Sequence, residues 1–118
     1  MSTQSSDRGG FDVNSGASSG EFGAYVEVTA GEAFAVKHLA IYHHWPTGDQ
    51  GYVAIRVAIG AQGAEQLLFT LNGFSHAERG ETFALIPFAI PERTRIAVSV
   101  KDSASGAKTH RTGITLFD

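Results

Sequence analysis

Residues 52–59 read YVAIRVAI, with Val53, Ile55, Val57 and Ile59 at every second position and Tyr52, Ala54, Arg56 and Ala58 between them. A strand sends successive side chains to opposite faces of its sheet, so period-two alternation is what a half-buried strand needs. A helix would scatter these four β-branched groups around its circumference. The same pattern recurs in RIAVSV, where Ile96, Val98 and Val100 point inward and Arg95, Ala97 and Ser99 outward, and in AYVEVT, which alternates Val26 and Val28 against Tyr25, Glu27 and Thr29. Three segments with one period restrict the chain to folds that bury one face of a sheet.

Further strands are expected in FAVKHLAIYHH (34–44), ETFALIPFAI (81–90) and KTHRTGITLF (108–117). In GAEQLLFTLNGF, Leu67, Leu68, Leu71 and Phe74 have helical spacing, but its length and neighbours favour a strand. Between these segments lie TAGEA, WPTGDQG, NGFSHAERG, IPERT and KDSASGA, each with the Gly, Pro, Asn or Asp that a turn uses. Pro87 and Pro91 cannot donate to a ladder, which places strand 81–90 at an edge or bends it. Seven to eight short strands so punctuated predict an all-β domain, an antiparallel β-sandwich of the jelly-roll kind, over residues 24–118.

The 118 residues suit one domain, and 14 Gly, 8 Phe and a single Met agree with strands and turns. With 9 Lys plus Arg among 12 Asp plus Glu, no basic stripe is available to neutralise a phosphate backbone, so nucleic acid is not an expected partner. The absence of Cys excludes a disulfide framework and thiolate zinc sites. Residues 1–10 lack an apolar signal core, and no apolar run nears the roughly 20 residues of a membrane helix. The expectation is a chain with no membrane partner that is made in a cytoplasm.

Residues 1–23 are rich in Ser, Gly and Asp, with Phe11, Val13 and Phe22 as the sizeable apolar groups after Met1. Such a segment cannot offset its own ordering entropy. It is expected to be an extended N-terminal arm, mobile alone and ordered on a neighbouring subunit, with Phe11, Val13 and Phe22 as anchors; the alternative is an arm that folds back on its own domain.

The stretch AIYHHWPTGDQGYVAI (40–55) carries two adjacent His and the single Trp. Adjacent strand residues face opposite ways, so His43 and His44 do not converge on one metal ion. The expected role of Tyr42, His43, His44 and Trp45 is contact with a partner at a hairpin tip. GASSG (16–20) matches G-x-S-x-G, but no apolar strand precedes Ser18 and no helix follows it, so a nucleophile elbow is not expected. The arm's glycines lack the Lys and Ser/Thr of a phosphate loop. No cofactor, metal or catalytic residue is expected. Arg93, Arg95, Lys101, Lys108 and Arg111 form a local basic excess, either a solvated face or a patch for an acidic partner.

Two segments together resemble short structural proteins of tailed phages: VAIGAQGAEQLLFTL (57–71), with I-G-x-x-G-x-E, and IPFAIPERTRIAVSVKDS (86–103), with I-P-x-x-[ST]-R-I-A. Those proteins usually carry a Gly between the Pro and the Thr-Arg, where this chain has Glu92 and Arg93. The resemblance implies a non-enzymatic virion component, a decoration, cement, spike or tail accessory protein assembled in the host cytoplasm. It would contact copies of itself and a capsid or tail protein. A glycan-binding sandwich using Trp45, Tyr42 and Tyr52, and a jelly-roll enzyme with a His-bound metal, are the competing readings.

Overall fold

The computed structural model describes residues 4–44, 52–75, 81–103 and 106–118. Eight strands follow one another: β1 (Ser5–Asn14), β2 (Val26–Thr29), β3 (His38–His44), β4 (Tyr52–Ile59), β5 (Gln66–Ser75), β6 (Glu81–Ile86), β7 (Ile96–Asp102) and β8 (Thr109–Phe117). They form two four-stranded antiparallel sheets, ordered β1-β8-β3-β6 and β2-β7-β4-β5. Strands that neighbour in sequence therefore mostly lie in opposite sheets, the strand order of a jelly roll.

The alternation in sequence is an alternation of facing, with the β-branched set turned to the space between the sheets. Val53, Ile55 and Val57 of β4, Ile96, Val98 and Val100 of β7, Leu39 and Ile41 of β3, and Ile114 and Leu116 of β8 meet between the sheets as one core. Each such side chain contributes roughly 1.5–3 kcal/mol of burial. The Leu-rich segment is the strand β5, whose two register shifts against β4 explain its mixed spacing: an extra β5 residue at each bulge breaks the period of two. β6 is an edge strand and stops at Ile86, one residue before Pro87.

The arm is the main correction. Residues 5–14 form β1, paired with β8 from Ser5↔Phe117 to Asn14↔Thr109, so this part of residues 1–23 belongs to the sandwich that was expected to begin at residue 24. Val13 is fully buried and Phe11 packs against the core, both within the chain itself rather than in a neighbour. A polar sequence suffices because an edge strand buries one face and takes its hydrogen bonds from a single neighbour. The register shifts between Arg8 and Phe11, where Gly10 has φ 75°. Further along, the Arg8 guanidinium reaches Glu32 at 2.8 Å. Burial pushes the Glu32 carboxyl up, but hydrogen bonds from Thr29, Ser6 and Arg8 outweigh it and hold the group below its usual range.

After β1 the chain runs alongside β7. The Gly23 amide donates to Val100 O at 3.0 Å, the Gly20 amide to Asp102 O at 2.8 Å, and Ser99 Oγ to Gly23 O at 2.7 Å. Phe22 and Tyr25 lie on the outer face of the second sheet, with the Arg56 guanidinium 4.2 Å and 4.7 Å from their ring centroids and the Lys101 ammonium 5.3 Å from that of Phe22. Ala97 and Ser99, read as outward, do face out of the sheet but are fully buried. The basic excess is largely paired: Arg95 with Glu27 and Glu65, Arg111 with Asp12, and Arg93 with Glu92.

Two substitutions test this packing. A Cβ at Gly23 would collide with the carbonyl oxygen of Asn14, which is backbone and cannot swing away; Gly23→Ala should lower stability by about 1–3 kcal/mol in denaturant unfolding. Arg93 has φ 58°, a left-handed conformation that costs a non-glycine residue about 1–2 kcal/mol. Allowing for the greater freedom of glycine in the unfolded chain, Arg93→Gly should stabilise by about 0.5–1 kcal/mol in the same assay.

Candidate functional site

Three strands each continue their inward-facing pattern one step past the apolar run, and each ends on a polar side chain. β3 goes Leu39, Ile41, His43; β7 goes Val98, Val100, Asp102; β8, read backwards, goes Leu116, Ile114, Thr112, His110. All four polar residues are at most 1% exposed. The β3–β8 register sets His43 opposite Thr112 and so diagonal to His110, and the β1–β8 register sets Val13 opposite His110. One end of the core is therefore polar.

The side chains there form a line. Asp102 Oδ2 lies 3.0 Å from His110 Nε2, and His110 Nδ1 lies 2.7 Å from His43 Nε2. The two imidazole centroids are 4.8 Å apart with the rings tilted by 33°. Asp102 belongs to the second sheet and the two histidines to the first, so the line crosses the sandwich. A carboxylate facing Nε2 favours the proton on that nitrogen of His110. The Nδ1 atom then accepts, and His43 Nε2 donates to it.

The order Asp–His–X is that of a relay serving a nucleophile, but here X is a second imidazole and every member is sealed from solvent. A substrate has no access to these atoms in the folded chain. The line is not a metal site either: His110 turns opposite nitrogens to its two neighbours, so the three side chains do not converge on one point. Among the described residues no group of three or more potential ligands is placed to hold an ion.

The expected contact residues are thus dispersed. His43, expected at a hairpin tip, is a core residue, because its place in the alternation of β3 sends it inward. Tyr42, its neighbour, points outward and is half-buried. Its ring occupies the space over Gly113 on β8, and its hydroxyl would stand 3.2 Å from a Cβ at Gly9 on β1, so the side chain spans β8 from one neighbouring strand toward the other. His44 closes β3 opposite Arg111 and Glu81 in register, and its side chain, like Trp45 and the turn that follows, lies outside the described residues. Phe22 packs on Arg56, and Phe11 and Val13 pack within the core. Sequence reasoning missed Asp102 and His110. The available signal was their parity, each two residues or a multiple of two from a buried aliphatic group on the same strand.

No family model matches this sequence, and no curated protein matches it. Solved structures do. The chain superposes on one from infectious bursal disease virus, Gx strain, with a TM-score of 0.54 at 9% identity, covering 98% of this chain and 31% of that one. On a chain of the VP2 subviral particle of the same virus the TM-score is 0.52 at 10% identity, covering 98% and 32%. On one from the T13 particle of that virus it is 0.51 at 7%, covering 98% and 30%. The present chain spans about a third of the length of these viral chains. At such identities the likeness is one of fold: a β-sandwich shared along nearly the whole of this chain.

Proposed function

We propose that this chain is a structural component of a viral particle, working through contacts with copies of itself and with a shell or tail protein rather than through chemistry. The observation that carries the proposal is the superposition of nearly the entire chain on chains from virus particles, in a fold that recurs in capsid proteins. The finer assignment, a decoration, spike or tail accessory protein of a tailed phage assembled in the host cytoplasm, rests on the two resembling segments. Most of their residues fall in β4, β5 and β7, which are neighbours in the second sheet.

The contact surface is assigned to the outer face of the first sheet. Leu85 on its edge is 59% exposed and lies opposite Ala40, while Phe117, His38 and Asp118 border the same shallow depression. Sedimentation of the purified chain at rising concentration should show oligomers, and Leu85→Glu should shift them to monomer. A chain that stays monomeric at about 100 μM and also fails to bind particles lacking it would overturn the proposal.

Glycan binding remains as a second reading, on one specific observation. Tyr52 is 69% exposed beside a groove bordered by Asn72, Lys101 and Ser103. Its backbone is fixed by two hydrogen bonds with Ser103, of 2.7 Å and 3.0 Å. A held aromatic ring beside amide, ammonium and hydroxyl groups suits a sugar. If the reading holds, the chain gives signal on a glycan array and Tyr52→Ala removes it; a blank array for the parent chain discards it.

A further inference from the structure

We propose that the line Asp102–His110–His43 is an acid-sensitive latch, which ties the two sheets together near neutrality and loosens when both imidazoles are protonated. The protons can be placed on these fixed heavy atoms one state at a time. With both histidines neutral, His110 Nε2–H faces the Asp102 carboxylate and His43 Nε2–H donates to His110 Nδ1. A first added proton is accommodated without movement: His110 becomes an imidazolium whose Nε2 side lies 3.0 Å from the Asp102 carboxylate and whose Nδ1 donates to His43 Nε2, and His43 carries its own proton on Nδ1. This state sets one cation beside one buried carboxylate.

A second proton has no such arrangement. His43 Nε2 and His110 Nδ1 would both bear hydrogen across 2.7 Å, with no acceptor between them and two like charges whose ring centroids are 4.8 Å apart. The contact must then open. In the unfolded chain the same two imidazoles each take a proton below about pH 6.5. The unfolded state therefore binds more protons than the folded state on the acid side, and stability falls as the pH drops through that range.

Among the described residues, the groups packed around the pair are mostly apolar. Across the sandwich β7 contributes Asp102, beyond it Val100, and β4 contributes Val53, which is paired with Asp102. β1 contributes Val13, and β8 adds Thr112. Arg111 and Asp12 pair with each other on the exposed surface, and among the described residues the other buried titratable group is Glu32, bound to Arg8. The latch is also joined to the segment beside β7, since the Gly20 amide donates to the Asp102 carbonyl at 2.8 Å.

The test is denaturant unfolding of the full chain at pH 7.5, 6.5, 5.5 and 5.0, with ring-nitrogen NMR of the histidines over the same range. The expected result is a folding equilibrium constant that falls by up to tenfold per pH unit below about pH 6.5, with only one proton taken up by the His43–His110 pair while the chain is folded. His43→Gln keeps an amide donor for His110 Nδ1 and an acceptor for its protonated form, so it should flatten this slope. Should His43→Gln fail to fold, the parent chain alone decides. Stability independent of pH from 7.5 to 5.0, or both imidazoles titrating in a chain that stays folded, would overturn the proposal.

Discussion

Aliphatic side chains of β4 and β7 pressed against those of β3 and β8 are the interaction on which the rest of this molecule depends. Because the period of a strand is two, burying one set of side chains fixes the register of every neighbour, and a slip of one residue would turn each inward group to solvent. That requirement sets the strand pairing, and the pairing sets the location of everything polar. His43, His110 and Asp102 meet because their strands keep counting in twos after the apolar residues end.

The polar end has an energetic consequence. Burying a carboxylate and two imidazoles is costly unless each finds a partner. The line of contacts supplies partners, but only for certain protonation states. The aliphatic part of the core carries no such condition. The molecule therefore joins a region indifferent to pH to a region that is not, within one pair of sheets. The Arg8–Glu32 pair responds in a separate range. Its carboxyl is held below the ordinary value near 4.5, so its contribution is present above that pH and is lost only as acid carries the folded group through its lowered range.

Much of the fold was legible because the strongly alternating segments are the strands that bury most. The β-branched set of 52–59 and 95–100 is the core-facing set of β4 and β7, and Pro87 ends the edge strand where a missing donor should. β1 was not legible. Its residues are mostly polar, and its place depends on hydrogen bonds offered by β8, which lies about a hundred residues away in sequence. The histidine stretch misled for a related reason: adjacency of His43 and His44 suggested a shared exposed tip, whereas strand parity sends His43 inward. The other two members of the line, Asp102 from β7 and His110 from β8, carry no motif and become visible only when the sheets are stacked. Arg93 shows another limit: the turn takes a left-handed residue there, although the sequence gives it no glycine.

The first strand of this jelly roll is largely polar, yet it lies in the sandwich, paired with β8 and anchored by the buried Val13. The central structural claim is that residues 5–25 belong to the fold of a single chain. Amide hydrogen exchange on the isolated monomer tests it most directly. The account predicts that the β1 amides that donate to β8, together with those of Gly20 and Gly23, are protected to a degree comparable with those of β8. Exchange at the rate of an unstructured peptide through residues 5–25, with β3 and β4 still protected, would contradict it and would return the segment to the role of a free arm.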